Sequence, residues 1–173
     1  MIMLKKLFGR GGSVSPRREN DGNQYAPGTQ LPYDPALISR FEGHHQALFK
    51  LVDAIEKSAE NQSYNQLKKQ LVTFRGALQE HLLEENLKLY VYLTRCLNHD
   101  PVNVQLVDGM KVEMNQIASK VIDFLNQFIE GHIGEDNLAT FNEGFSKMKA
   151  VLAERVQREE NTLYTLYLPP DSY

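Results

Sequence analysis

"EHLLEENLKLY", residues 80–90, sets a histidine and a glutamate four residues apart on the apolar side of a helix, in line with Leu78 and Leu89. The chain almost repeats itself at 154–164, "ERVQREENTLY", with Arg155 where the first copy has His81. Two helices that each bury an ionisable pair must face something that neutralises it. The reading of these two stretches therefore decides the fold and the chemistry together.

Working outward from them, apolar residues recur in steps of three and four along four segments. The second segment runs Leu67, Leu71, Phe74, Leu78, His81, Glu85, Leu89 and Tyr92. The fourth runs Phe141, Phe145, Met148, Leu152, Arg155, Glu159, Leu163 and Leu166. Before them stands Ile38, Phe41, His45, Leu48, Val52 and Ile55, and between them Val107, Met110, Met114, Ile117, Val121, Phe124 and Phe128. Such stripes are the signature of amphipathic helices packed on one another. Start signals agree: Asp34 with Pro35, Ser63 with Gln66 as a capping box, and Asp100 with Pro101. Short breaks at "SAENQSYNQ", "NHDPVN" and "GHIGEDN" make neighbours antiparallel. The expected fold is all-α, an up-down-up-down antiparallel four-helix bundle over residues 34–170, preceded by a flexible N-terminal arm over residues 1–33 rich in Gly, Pro, Ser and charge.

Composition narrows the function classes. With 173 residues the chain is sized for one domain, and its net charge of −3 gives no electrostatic case for nucleic acid. A single cysteine, Cys96, rules out an internal disulfide and suits a reducing, cytoplasmic setting. Nothing approaches the run of about 18 apolar residues that a transmembrane segment needs. The opening "MIMLKKLFGR" reads as a frayed tail, or as a short element touching a partner or membrane surface.

The interruptions of the apolar stripes share one height. His45 precedes the first connection by about 17 residues and His81 follows it by about 18, and at about 1.5 Å of rise per residue those counts put them level. Glu113, at the edge of the third stripe, and Arg155 are likewise about 20 residues either side of the third connection, so they too fall in this layer. One way to satisfy such a layer is an ion: His45 and His81 as imidazole ligands, Glu85 and Glu159 as carboxylates, with Glu113 helping, a set suited to iron, manganese or zinc. The other needs no ion, because Arg155 brings a permanent cation shaped for carboxylates and the histidines hydrogen-bond to the same glutamates.

The residues from about 34 to 168 resemble the hemerythrin-like (HHE cation-binding) family of four-helix bundles, on "HQALFKLV" at 45–52, "HLLEEN" at 81–86 and "REENTLYTLY" at 158–167. The resemblance implies a non-haem di-iron centre between the helices. It assigns His45 and His81 to the first iron and Glu85 to a bridge, with Glu160 by family spacing, or Glu159 by the stripe, as the fourth-helix bridge. The third helix, "DGMKVEMNQIASK", has no histidine, and Arg155 stands where the fourth-helix histidine belongs. The resemblance thus leaves half a site: at most one iron, or a manganese or zinc ion, and not an intact di-iron centre. A fainter likeness, to the regulator of sigma D and AlgQ-type anti-sigma bundles, rests on the "VEMNQI" region and an arginine-glutamate pattern in the last helix. It implies a metal-free regulator that binds a protein partner such as a sigma factor.

Other signals are weaker. His44 replaces His45 as the inward residue if the first helix is rotated, and Glu42 with His45 is one Glu-x-x-His where ferritin-like sites need two. His99 and His132 fall in connections. Met110, Met114 and Met148 read as core filler. Tyr90, Tyr92, Tyr164 and Tyr167 are expected to close one end of the bundle with their hydroxyls in water. The expectation is a non-enzymatic binding or sensing protein, responding to oxygen, nitric oxide or redox state.

Overall fold

The computed structural model describes residues 24–173, in which four helical rods pack as an antiparallel bundle. The first rod is α1 (Leu37–Glu60). The second is α2 (Tyr64–Glu84), a π-helical segment (Glu85–Tyr90) and α3 (Val91–Cys96) in one line. The third is α4 (Pro101–Glu130). The fourth is α5 (Leu138–Arg158), which passes through a second π-helical segment (Glu159–Leu163) into a 3-10 turn at Tyr164–Leu166. Around the bundle α1 adjoins α2, α2 adjoins α4, α4 adjoins α5, and α5 closes back on α1.

The helix starts differ in chemistry. Asp100 caps α4 as its sequence promises, its Oδ1 accepting from the backbone N–H of Val102 and Asn103, both at 3.1 Å, with Pro101 in the first turn. Asp34 does not cap α1. It sits in a turn ahead of the helix, where its Oδ1 accepts from Ala36 N–H at 2.9 Å, and α1 begins at Leu37 behind Ala36. The capping box expected at Ser63 is also absent: Ser63 holds the N-cap position, but its side chain makes no capping bond. The preceding turn is closed by backbone instead. Gln62 takes a left-handed conformation at φ 53, and Ser63 N–H reaches Ser58 O at 2.8 Å.

The stripes form the core almost as written, with Leu37, Leu82, Leu93 and Leu125 among those added to the buried set and Ile38, Ile117, Phe124 and Leu166 only half-buried. The apolar core comes in two pieces. One holds Val52, Ile55, Leu71, Phe74, Phe128 and Phe141 among others, toward the first and third connections. The other gathers Leu37, Phe41, Leu89, Tyr92, Val107 and Leu163 at the opposite end. Between them lie the buried polar residues His45, His81, Glu85, Arg155 and Glu159. The first 23 residues of the expected N-terminal arm lie outside the described residues. Residues 24–33 make contacts with the bundle. They fold back through a Tyr25–Pro32 bridge, bury Ala26, and seat Tyr33 against Tyr92 and Tyr167. The aromatic residues at the bundle's end give this short stretch an apolar surface to pack on. Among the described residues no helix is long and apolar enough to cross a membrane.

Candidate metal centre

The two echoing stretches adopt the same local structure. In each, the α-helix runs up to the buried glutamate and then widens into a π turn: at Glu85 in the second rod and at Glu159 in the fourth. The reason is visible in the spacing. His81, Glu85, Leu89 and Leu93 are all buried, as are Arg155, Glu159 and Leu163, each set in steps of four. In a straight α-helix every step of four overshoots a turn by about 40°, so four such residues would wind off the core face. Wider turns keep them inward, and π turns are often found where a helix carries functional groups.

His45, on α1, is the hinge of the site. It is 2% exposed, whereas His44 is half-buried, which settles which of the two points inward. On its outer side His45 Nδ1 lies 2.9 Å from Glu160 Oε1. On its inner side Nε2 lies 3.2 Å from His81 Nε2, 3.5 Å from Glu159 Oε2 and 3.4 Å from the Tyr164 hydroxyl. If Nδ1–H donates to the Glu160 carboxylate, Nε2 is left as a lone pair facing the core, the tautomer a metal-ligating imidazole adopts. One atom each from His45, His81 and Glu159 lies within 4.8 Å of the other two. Ligands at about 2.0–2.2 Å from a tetrahedral ion stand roughly 3.3–3.6 Å apart, so the donors fit an ion of that size with little movement. Three protein donors also leave a coordination position open. Beside them is a small cavity of about 20 Å³ whose remaining wall is Arg155 and apolar side chains, among them Leu48, Phe74, Leu78 and Leu152.

Arg155 supplies a second, built-in cation. Its Nη2 donates to the Tyr90 hydroxyl at 2.8 Å and to Met110 O at 3.3 Å, and its Nε–H points at Met114 Sδ at 3.5 Å. The same Nη2 lies 2.8 Å from Glu159 Oε1, off the direction of a hydrogen bond, so that contact is an ion pair. Glu159 therefore faces a cation with one oxygen and the histidine pair with the other. Glu85 is fully buried and neither of its oxygens has a partner. Burial, reinforced by the Glu159 charge and opposed by Arg155, pushes its pKa well above the ordinary carboxylate range. Glu159 shifts the same way, chiefly by burial. Burial lowers both histidines; His81 falls to about 3, helped by the neighbouring His45 and His44.

Of the six residues proposed as ligands from sequence, His45, His81 and Glu159 converge, and Glu85 lies buried in the same layer. Glu113 and Glu160 are half-exposed. Glu113 is held by Arg158 at 2.6 Å with Arg155 Nη1 at 4.0 Å, and Glu160 stands on the outer side of His45. The tyrosine expectation needs correcting. Tyr92 and Tyr167 do close the bundle end, but the hydroxyls stay inside: Tyr92 donates to Leu168 O at 2.7 Å, and the Tyr167 oxygen accepts from Asp34 N–H at 2.9 Å. Tyr90 and Tyr164 belong to the polar layer itself. The repeat had marked them, since both copies of the eleven-residue stretch end in tyrosine five residues beyond the buried glutamate.

Fold and layer together define a four-helix cation-binding bundle with one convergent histidine–carboxylate set. The hemerythrin HHE cation-binding domain matches residues 36–167, and the chain belongs to that family. Among curated proteins and solved structures, none matches it.

Proposed function

We propose that this protein binds a single transition-metal ion, iron first among the candidates, at His45, His81 and Glu159, and that it serves binding or sensing rather than turnover. The observation that carries the reading is the asymmetry of the polar layer. One half presents three convergent donors and a small cavity, and the other half is filled by a guanidinium. A second ion beside Glu85 and Glu159 would have to displace Arg155 from Tyr90, Met110 and Glu159, which makes a one-ion site the economical reading. Bound iron would supply redox activity and an open position for a small ligand; a cavity of about 20 Å³ has room for one molecule of water size. Oxygen, nitric oxide and redox state are the signals that fit this size and chemistry. A cytoplasmic setting accords with the lone buried cysteine.

The Arg155–Glu159 contact also favours a second reading, a metal-free regulatory bundle in which the guanidinium alone balances the carboxylates and a protein partner, such as a sigma factor, is the target. Elemental analysis separates them. Protein purified from iron-supplemented cells and reloaded anaerobically is expected to hold about one equivalent of iron, and H45Q about none. Less than about a tenth of an equivalent of any transition metal in the wild-type protein overturns the first reading in favour of the second.

A further inference from the structure

The His45 ring is a wall between two spaces. Outside it, between α1 and α5, an open cleft of about 650 Å³ reaches the surface, and inside it lies the cavity of about 20 Å³ beside the three donors. His45, Phe49 and Val156 line both. The ring is buried, but Phe49 and Val156 are each half-buried, so only side chains part the cleft from the cavity. The cleft is also charged in a particular sense, with Glu42, Asp53 and Glu160 against one lysine, Lys50. The other flanks of the polar layer carry charges that are already paired. Along the α1–α2 seam Arg40 and Lys88 both hold Glu84, at 3.2 and 2.6 Å, and on the α4–α5 side Arg158 holds Glu113 at 2.6 Å.

We propose that the α1–α5 cleft is the port through which a divalent transition-metal cation reaches His45, His81 and Glu159, with Phe49 and Val156 as its closure. The inference rests on the metal-binding reading above. A carboxylate-lined cleft with low-dielectric walls raises the local concentration of a cation and so its capture rate, while the paired charges on the other flanks offer it no net attraction. Glu160 holds the His45 ring from the cleft side, so the inward Nε2 is already oriented when the ion arrives. Passage requires a rotamer change at Phe49, a side-chain motion far faster than any rearrangement of the helices. A route also has a thermodynamic mark. A neutral residue that only blocks it changes capture and release by the same factor and leaves the equilibrium affinity alone, whereas a charge at its mouth acts mainly on capture and residues that hold the ion change the affinity.

The test is stopped-flow capture of Zn²⁺ by the metal-free full chain, with release followed into a chromophoric chelator. In E42Q/D53N, both surface positions, capture at low salt is expected to slow about three- to tenfold, since electrostatic steering of this kind is worth tenfold or more in rate. The difference should vanish at about 0.5 M salt, where the screening length falls to a few ångströms. F49A should speed capture and release together. In F49A the dissociation constant should stay within about twofold of wild type, because a neutral closure alters both directions of passage alike. Unchanged rates in both variants, or an F49A affinity that falls in step with its rate, overturn the port. If wild-type protein captures no Zn²⁺, the metal reading and the port fail together; if it captures the ion and the variants match it, only the port fails.

Discussion

At the scale of single residues, Arg155 decides the character of the site. It is 2% exposed, and within its reach are a carboxylate, a phenol, a backbone carbonyl and a thioether. A buried cation survives only with such partners, and its partners survive only with it. Arg155→Ala strips Glu159 of its counter-ion, leaves the Tyr90 hydroxyl unpaired and opens a cavity against Met110 and Met114. Urea unfolding of the metal-free protein should show a loss of about 3–5 kcal/mol, the range for breaking a buried pair from one side. A loss below about 1 kcal/mol, the worth of an exposed pair, would mean that the guanidinium does not balance the layer.

At the scale of elements, the sequence carried the helices and their inward faces, and local side-chain hydrogen bonding is where it misled. Periodicity reports burial, and burial is collective, so single misjudged positions such as Ile38 or Leu125 did not move a helix. A cap is one hydrogen bond whose geometry depends on the incoming chain. Asp100, Ser63 and Asp34 looked alike on paper, and only Asp100 caps its helix. Asp100→Ala should accordingly cost about 1 kcal/mol in thermal or urea unfolding, and Ser63→Ala no more than about 0.3 kcal/mol. Equal losses at the two positions would contradict the bonding described here. The candidate site was legible to the same degree. Equal residue counts from each connection put His45 level with His81 and Glu113 level with Arg155; the histidines and Arg155 lie in one buried layer with Glu85 and Glu159, whereas Glu113 stays at its half-exposed edge. Hidden behind the three-four pattern were the π turns, although buried steps of four at 81, 85, 89, 93 and at 155, 159, 163 contain the signal. Tyr90 and Tyr164, at the far ends of these π segments, turn their hydroxyls to Arg155 and His45 instead of to water.

For the whole molecule, the layer makes global stability depend on pH and on metal in a linked way. In the metal-free protein the histidines are held below their ordinary pKa, His81 at about 3. The unfolded chain therefore binds more protons as pH falls below about 6.5, and stability is lost from there toward pH 3. Glu85 and Glu159 are shifted upward, so above about 4.5 the native state holds protons that the unfolded chain has released. That contribution is present at acid pH and lost as pH rises toward their native pKa values. The two slopes oppose one another and leave a maximum between them. Glu85→Gln, which mimics the protonated side chain, should stabilise the metal-free protein by about 1–2 kcal/mol at pH 8, with the gain disappearing near pH 4.5. An ion at His45, His81 and Glu159 changes the balance, because it needs all three donors without their protons. At about 100 times its dissociation constant it adds about 2.7 kcal/mol, or roughly 5–10 °C in unfolding midpoint for a chain of this length. The increment should be larger at pH 8 than at pH 5 and be erased by a chelator or by His81→Gln. A midpoint that rises equally at both pH values would place the ion on the surface rather than between the two halves of the core.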